Sequence, residues 1–265
     1  MEVSMKKKPI VIAASTFTAI VLAVVGIYGL TYASTPANIR TPEFEHYHLR
    51  AQVVIDGEYV DFSKDEFQRE YDGNTCSAEI SEEPFDFHDN MDQFVHVHWD
   101  GMTGGQLLKY YGLNVLGGDD NSLGQNYTSG ILSPENVDIY GDFIPQPSET
   151  ANYFVYVGDE NSYQQKSWDV FVNKDLEEFF GQKSNLSRDE QVSLLEKILF
   201  PKAYAHDGEM DGHSEDSDKS EDELKRINNL IGNVVIFAQD TEPTSEQITE
   251  RFSNLVPLHD STCGG

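Results

Sequence analysis

Apolar and polar positions follow three patterns along this chain. From Pro9 to Ala33 a run rich in Val, Ile, Ala and Leu carries no charged residue, and Lys6, Lys7 and Lys8 stand directly before it. About 20 apolar residues at a helical rise match a hydrocarbon core, whereas a signal-peptide core has about 7–15. The run therefore predicts an N-terminal transmembrane helix within residues 1–35. The lysines stay inside, so the chain is expected in the cell membrane as a single-pass protein with its C-terminal ectodomain outside. Cleavage near Thr31-Tyr32-Ala33 is the alternative and yields a secreted product. Residues 36–43, bounded by Pro36 and Pro42, read as a stalk.

The second pattern is strict alternation. Residues 44 to 62 are alternating and β-branched on both sides of Asp56-Gly57, the pair that most strongly marks a tight hairpin. Phe94 to Trp99 is a second such strand, and Thr103 opens a short helix that runs to Tyr111 and ends at Gly112. Tyr153–Val157 and Trp168–Val172 read as strands about a polar turn, and Val234–Ala238 as another. The third pattern is helical. Short helices are expected over 63–71 and 176–180, from Asp189 to Phe200, over 224–231 and from Ser245 to Leu255.

Strands and helices mix without regular alternation, so the expected class is α+β: two small mixed domains with antiparallel hairpins and short helices after the membrane helix. A histidine-containing domain spans 44–116. Residues 117–150, rich in Gly, Asn, Asp, Ser and Pro, form a loop-rich connection. A second α+β unit spans 151–265 and contains an acidic loop at 206–223.

Charge narrows the partners. Acidic residues outnumber basic ones 46 to 18, a formal net charge of −28. Such a surface repels nucleic-acid phosphates and attracts cations and basic partners, although acidity can equally serve solubility alone. The two cysteines, Cys76 and Cys263, admit three readings: a disulfide closing a long loop, two free thiols, or Cys76 as a soft metal ligand.

Five of the eight histidines lie between residues 46 and 98: His46, His48, His88, His96 and His98. Residues two apart in a strand share a face, so each His-x-His pair projects two imidazoles together. Two such strands side by side would gather four, with His88 swinging over them from the connection. Neutral imidazole is the commonest biological metal ligand, and three or four of them suit zinc or copper. Glu45, Asp89, Asp92 and Asp100 are candidates to support the ligands. The plain alternative is a polar strand face.

Two resemblances attach to these residues. Gln93-Phe94-Val95-His96-Val97-His98-Trp99 resembles the zinc strand of the α-type carbonic anhydrases, which implies zinc hydratase or hydrolase chemistry. The third histidine that this family carries downstream has no counterpart here between Trp99 and Ala205. The wider arrangement of His46, His48, Asp56-Gly57, Cys76, His88-Asp89, His96 and the segment Thr103 to Gly112 resembles a family of uncharacterised secreted or membrane-anchored prokaryotic proteins. That resemblance implies export and carries no activity.

Asp207, Glu209, Asp211 and Asp218, with Gly212 between them, resemble an EF-hand calcium loop, so calcium enters as a second metal. A solvated acidic linker is the competing reading. Three functions follow: an extracytoplasmic zinc- or copper-binding protein, a cell-surface structural or interaction protein without metal, and a carbonic-anhydrase-like hydratase. The Gly-x-Ser-x-Gly, His-Glu-x-x-His and phosphate-loop motifs are absent, which removes the commoner enzyme classes.

Overall fold

A computed structural model describes residues 7–68, 83–87, 90–113, 115, 141–182 and 219–259. The chain forms two compact units, one from residues 1–42 and 118–138, the other from 43–117 and 139–265. In the first, α1 (Lys7–Ser34) and α2 (Ala37–Arg40) are helical. The helical reading of the apolar run therefore stands, but the membrane anchor does not. No helix among the described residues is long and apolar enough to cross a membrane. Between Ser15 and Tyr32 the apolar residues are diluted by Ser15, Thr16, Thr18, Gly26, Tyr28 and Gly29. The single-pass topology and the localisation built on it are withdrawn.

The second unit is built on one mixed sheet. Its strands are β1 (Phe44–Ile55), β2 (Glu58–Val60), β3 (Phe85–Asp86), β4 (Phe94–Trp99), β5 (Asn152–Gly158), β6 (Tyr163–Lys166) and β7 (Leu230–Gln239). The order is β3-β4-β1-β7-β5-β6, with β2 also paired to β1. This corrects the expectation of two small domains with antiparallel hairpins. Strands from both expected units hydrogen-bond in the same sheet, and β1 pairs β7 in parallel, His48 to Ile55 against Leu230 to Ala238. The β1–β2 hairpin turns at Asp56-Gly57, both at positive φ, as expected of this dipeptide.

Helices cover both faces. They are α3 (Gly104–Tyr110), α4 (Trp168–Asn173), α5 (Leu176–Phe180), α6 (Glu221–Ile227) and α7 (Ser245–Ser253). On one face Val54, Tyr156, Val235 and Phe237 pack against Ile248 and Phe252 of α7. On the other, the Phe180 ring of α5 lies where a side chain at Gly232 would stand, and Trp168 of α4 stacks on Tyr153. The even positions of β1 face α7, and the odd positions Tyr47, Leu49, Ala51 and Val53 are buried beneath the opposite face.

Capping explains where two helices start. Thr103 accepts from the Gln106 amide while Gln106 returns a bond to Thr103, and Thr244 and Gln247 do the same for α7. The expected strand at 168–172 is helical instead. Ser167 caps it by accepting from the Val170 amide, and Phe171 is buried while Trp168 stacks on β5. That spacing serves one helical face as well as it serves a strand.

Candidate metal centre

Strand geometry brings the histidine pairs together. His48 stands directly opposite His96 in the antiparallel β1–β4 ladder, with a register irregularity between Phe44 and Tyr47. Directly opposed residues share a face, so His46 and His48 meet His96 and His98 on one side of the sheet. The ring centroids of His48 and His96 lie 4.2 Å apart, those of His46 and His48 4.7 Å, and those of His46 and His98 5.4 Å. Phe94 stacks on His48 at 4.9 Å and closes one side of the cluster.

Three of these imidazoles converge by their nitrogens. His46, His48 and His96 each offer a ring nitrogen within 4.8 Å of the other two. His46 Nε2 is 3.4 Å and His48 Nε2 2.8 Å from His96 Nδ1. In a tetrahedral zinc site with bonds of about 2.0–2.1 Å, ligand nitrogens stand roughly 3.3 Å apart. The first separation already matches. The second is a hydrogen-bond distance and would have to widen by about half an ångström for both nitrogens to hold one metal. His48 and His96 are buried and His46 is half-buried, so the centre opens to solvent on the His46 side.

The orientation of His48 is set from across the sheet. Its Nδ1 contacts the Asn228 carbonyl, a bond in which the ring nitrogen donates, leaving the Nε2 lone pair for the centre. Asn228 follows α6 directly and Asn229 precedes β7, the parallel neighbour of β1. Asn229 adopts positive φ, accepts from the His48 amide at 3.1 Å and donates from Nδ2 to the His46 carbonyl at 3.1 Å. This two-residue turn grips both β1 histidines. Sequence reasoning missed it because it lies some 180 residues away; the only local signal was an Asn-Asn pair at a helix end.

His98 joins the cluster without joining the triad. Its Nδ1 lies 3.0 Å from the Glu83 carbonyl, while the Tyr110 hydroxyl donates to the Glu83 carboxylate at 2.6 Å. Asp86 was also missed. It is fully buried on β3 and sits directly opposite His96, so its carboxylate projects to the imidazole side. The expected supporters divide. Glu45 lies on the other face of β1, Asp100 joins it there, and Asp92 instead accepts from the Tyr59 hydroxyl at 2.5 Å.

His88 and Asp89, Cys76 and Cys263, and the loop residues Asp207, Glu209, Asp211 and Asp218 lie outside the described residues, as does the expected helix 189–200. No protein-family model, curated protein or solved structure matches the chain. The chemistry therefore rests on the site itself: three imidazoles converging on one largely buried face of the sheet, a donor set suited to a borderline divalent metal.

Proposed function

We propose that this chain binds one zinc or copper ion through His46, His48 and His96 and holds it for buffering, delivery or support of the fold. The observation that carries this reading is the convergence of His46 Nε2, His48 Nε2 and His96 Nδ1 within 4.8 Å of one another. The aimed His48 ring adds to it, because ligating histidines characteristically donate their second nitrogen to a carbonyl or carboxylate. Asp86, buried opposite His96, is placed beside the convergent nitrogens as a supporting carboxylate. A hydratase function needs three imidazoles and an open, water-bearing position. The burial of His48 and His96 favours a holding site instead.

The test uses the full chain stripped of metal, titrated with zinc and with copper(II) by calorimetry and then heated. One ion per chain is expected, with unfolding stabilised by about 2.7 kcal/mol at a hundredfold excess of free metal over Kd. His48→Ala and His96→Ala should each abolish both effects. A wild-type chain that binds neither ion, or variants that bind as well as wild type, would remove the proposal.

A further inference from the structure

A second cluster lies on the opposite face of β1. Glu45, Asp100 and Glu177 each present a carboxylate oxygen within 4.8 Å of the other two. Three elements deliver them. Glu45 stands at the start of β1, and Asp100 follows β4 with its amide donating to the Glu43 carbonyl at 2.9 Å. Glu177 lies in the first turn of α5 and is 1% exposed. That turn is tied to the segment after β4 by the Leu176 amide on the Met102 carbonyl at 2.9 Å and by the Thr103–Asp175 bridge. The gathering is thus a product of strand pairing and helix docking, not of chance side-chain reach.

Acidic residues cluster on many proteins without binding anything, and the decisive observation is a different residue. Tyr47 is wholly buried, and its hydroxyl makes no hydrogen bond among the described residues. A buried hydroxyl is nearly always bonded, so an orphan one calls for an explanation. Tyr47 stands two residues after Glu45 on the same face of β1, which turns its side chain to the side of the cluster, and burial and then the carboxylates of Asp175, Glu177, Glu45 and Asp100 raise its pKa. A cation there relieves carboxylate repulsion and gives the phenolic oxygen a partner, directly or through a bound water. Every donor is oxygen, which selects against soft metals, and three carboxylates that each bind through one or two oxygens suit the flexible six-to-eight coordination of calcium better than the rigid octahedron of magnesium.

We propose that Glu45, Asp100 and Glu177, with Asp175 and the Tyr47 hydroxyl beside them, form an all-oxygen site for a hard divalent cation of the calcium class. The site shares the β1 and β4 backbones with the imidazoles but none of their side chains, and does not depend on their reading. Alternation along Glu45-His46-Tyr47-His48 gives one strand a hard-metal face and a borderline-metal face.

The experiment titrates the chelator-treated full chain with terbium, reading luminescence sensitised by Tyr47 and neighbouring Trp99, and then displaces it with calcium or magnesium. Saturable binding is expected, with calcium displacing terbium at lower concentration than magnesium. Glu177→Gln and Asp100→Asn should each weaken terbium and calcium at least tenfold and change zinc affinity less than twofold. The Glu177→Gln chain should lack the calcium-induced rise in unfolding temperature that wild type shows. If that variant does not fold, the half-buried Asp100→Asn carries the same comparison. Absence of saturable binding would overturn the proposal. So would calcium affinity that survives both substitutions, including affinity lost only when Asp207, Glu209, Asp211 and Asp218 are neutralised together.

Discussion

Replacing Asn229 with alanine tests whether the turn after α6 positions the histidines. Two terms act on stability. The Nδ2 donation to the His46 carbonyl disappears, a net loss of about 1 kcal/mol for one hydrogen bond. Alanine must also adopt the positive φ of 47° that asparagine tolerates, at a further cost of roughly 1–2 kcal/mol. The expected destabilisation is about 2–3 kcal/mol in urea unfolding of the metal-free chain. Asn229→Gly separates the terms: it loses the same hydrogen bond but accepts the backbone, against a glycine entropy cost of about 0.5–1 kcal/mol. It should therefore fall between wild type and alanine. Metal affinity provides the second readout. The turn supplies the carbonyl that aims His48 and holds the backbone of both β1 ligands, and losing such a supporting contact typically lowers affinity 10–100-fold. The assay is zinc calorimetry on the folded variants. If Asn229→Ala loses stability while its zinc affinity stays within twofold of wild type, the turn merely closes the sheet and the positioning argument fails. If glycine proves less stable than alanine, backbone strain is not the operative term.

Other outcomes follow from single contacts. His98→Gln should keep one zinc per chain, because the convergent nitrogens belong to His46, His48 and His96; loss of stoichiometry in metal analysis would make His98 a ligand. Burial pushes the Asp92 carboxyl above its usual range, against the opposing effects of the Tyr59 hydroxyl and the Phe62 amide. With the folded value above the unfolded one, this group's stabilising contribution is complete below the unfolded pKa and is lost as pH rises through the folded value. Tyr59→Phe should cost about 1.5–3 kcal/mol at neutral pH and less once Asp92 is protonated, as followed by urea unfolding across the acid range. A Cβ at Gly104 would collide with the Phe171 ring, so Gly104→Ala should destabilise despite alanine's helix preference: overpacking of about 1–3 kcal/mol exceeds the roughly 1 kcal/mol propensity gain, readable as a lower urea midpoint.

Local elements whose signals lie within a few residues were legible along the chain. Alternation marked β1 and β4 and placed the members of each His-x-His pair on one face. Asp56-Gly57 marked the hairpin, and Thr103 marked the start of α3. Where the pattern was ambiguous, the neighbours decided. Trp168 to Asn173 became a helix because its apolar side chains find partners at helical spacing against β5 and α5. The apolar run Pro9 to Ala33 was legible as a helix but not as an anchor.

Which side chains converge depends on long-range packing. That β7 inserts beside β1 in parallel, joining two supposed domains, depends on pairings across nearly two hundred residues. The same pairing brings the Asn228 carbonyl to His48, and the β3–β4 register brings Asp86 opposite His96. Long-range strand partners are selected by the burial of whole faces, so spacing along the chain carries no record of them. It could show that imidazoles were available in pairs. Which three meet, and that a nest of carboxylates gathers behind them, became physical facts only when the sheet closed.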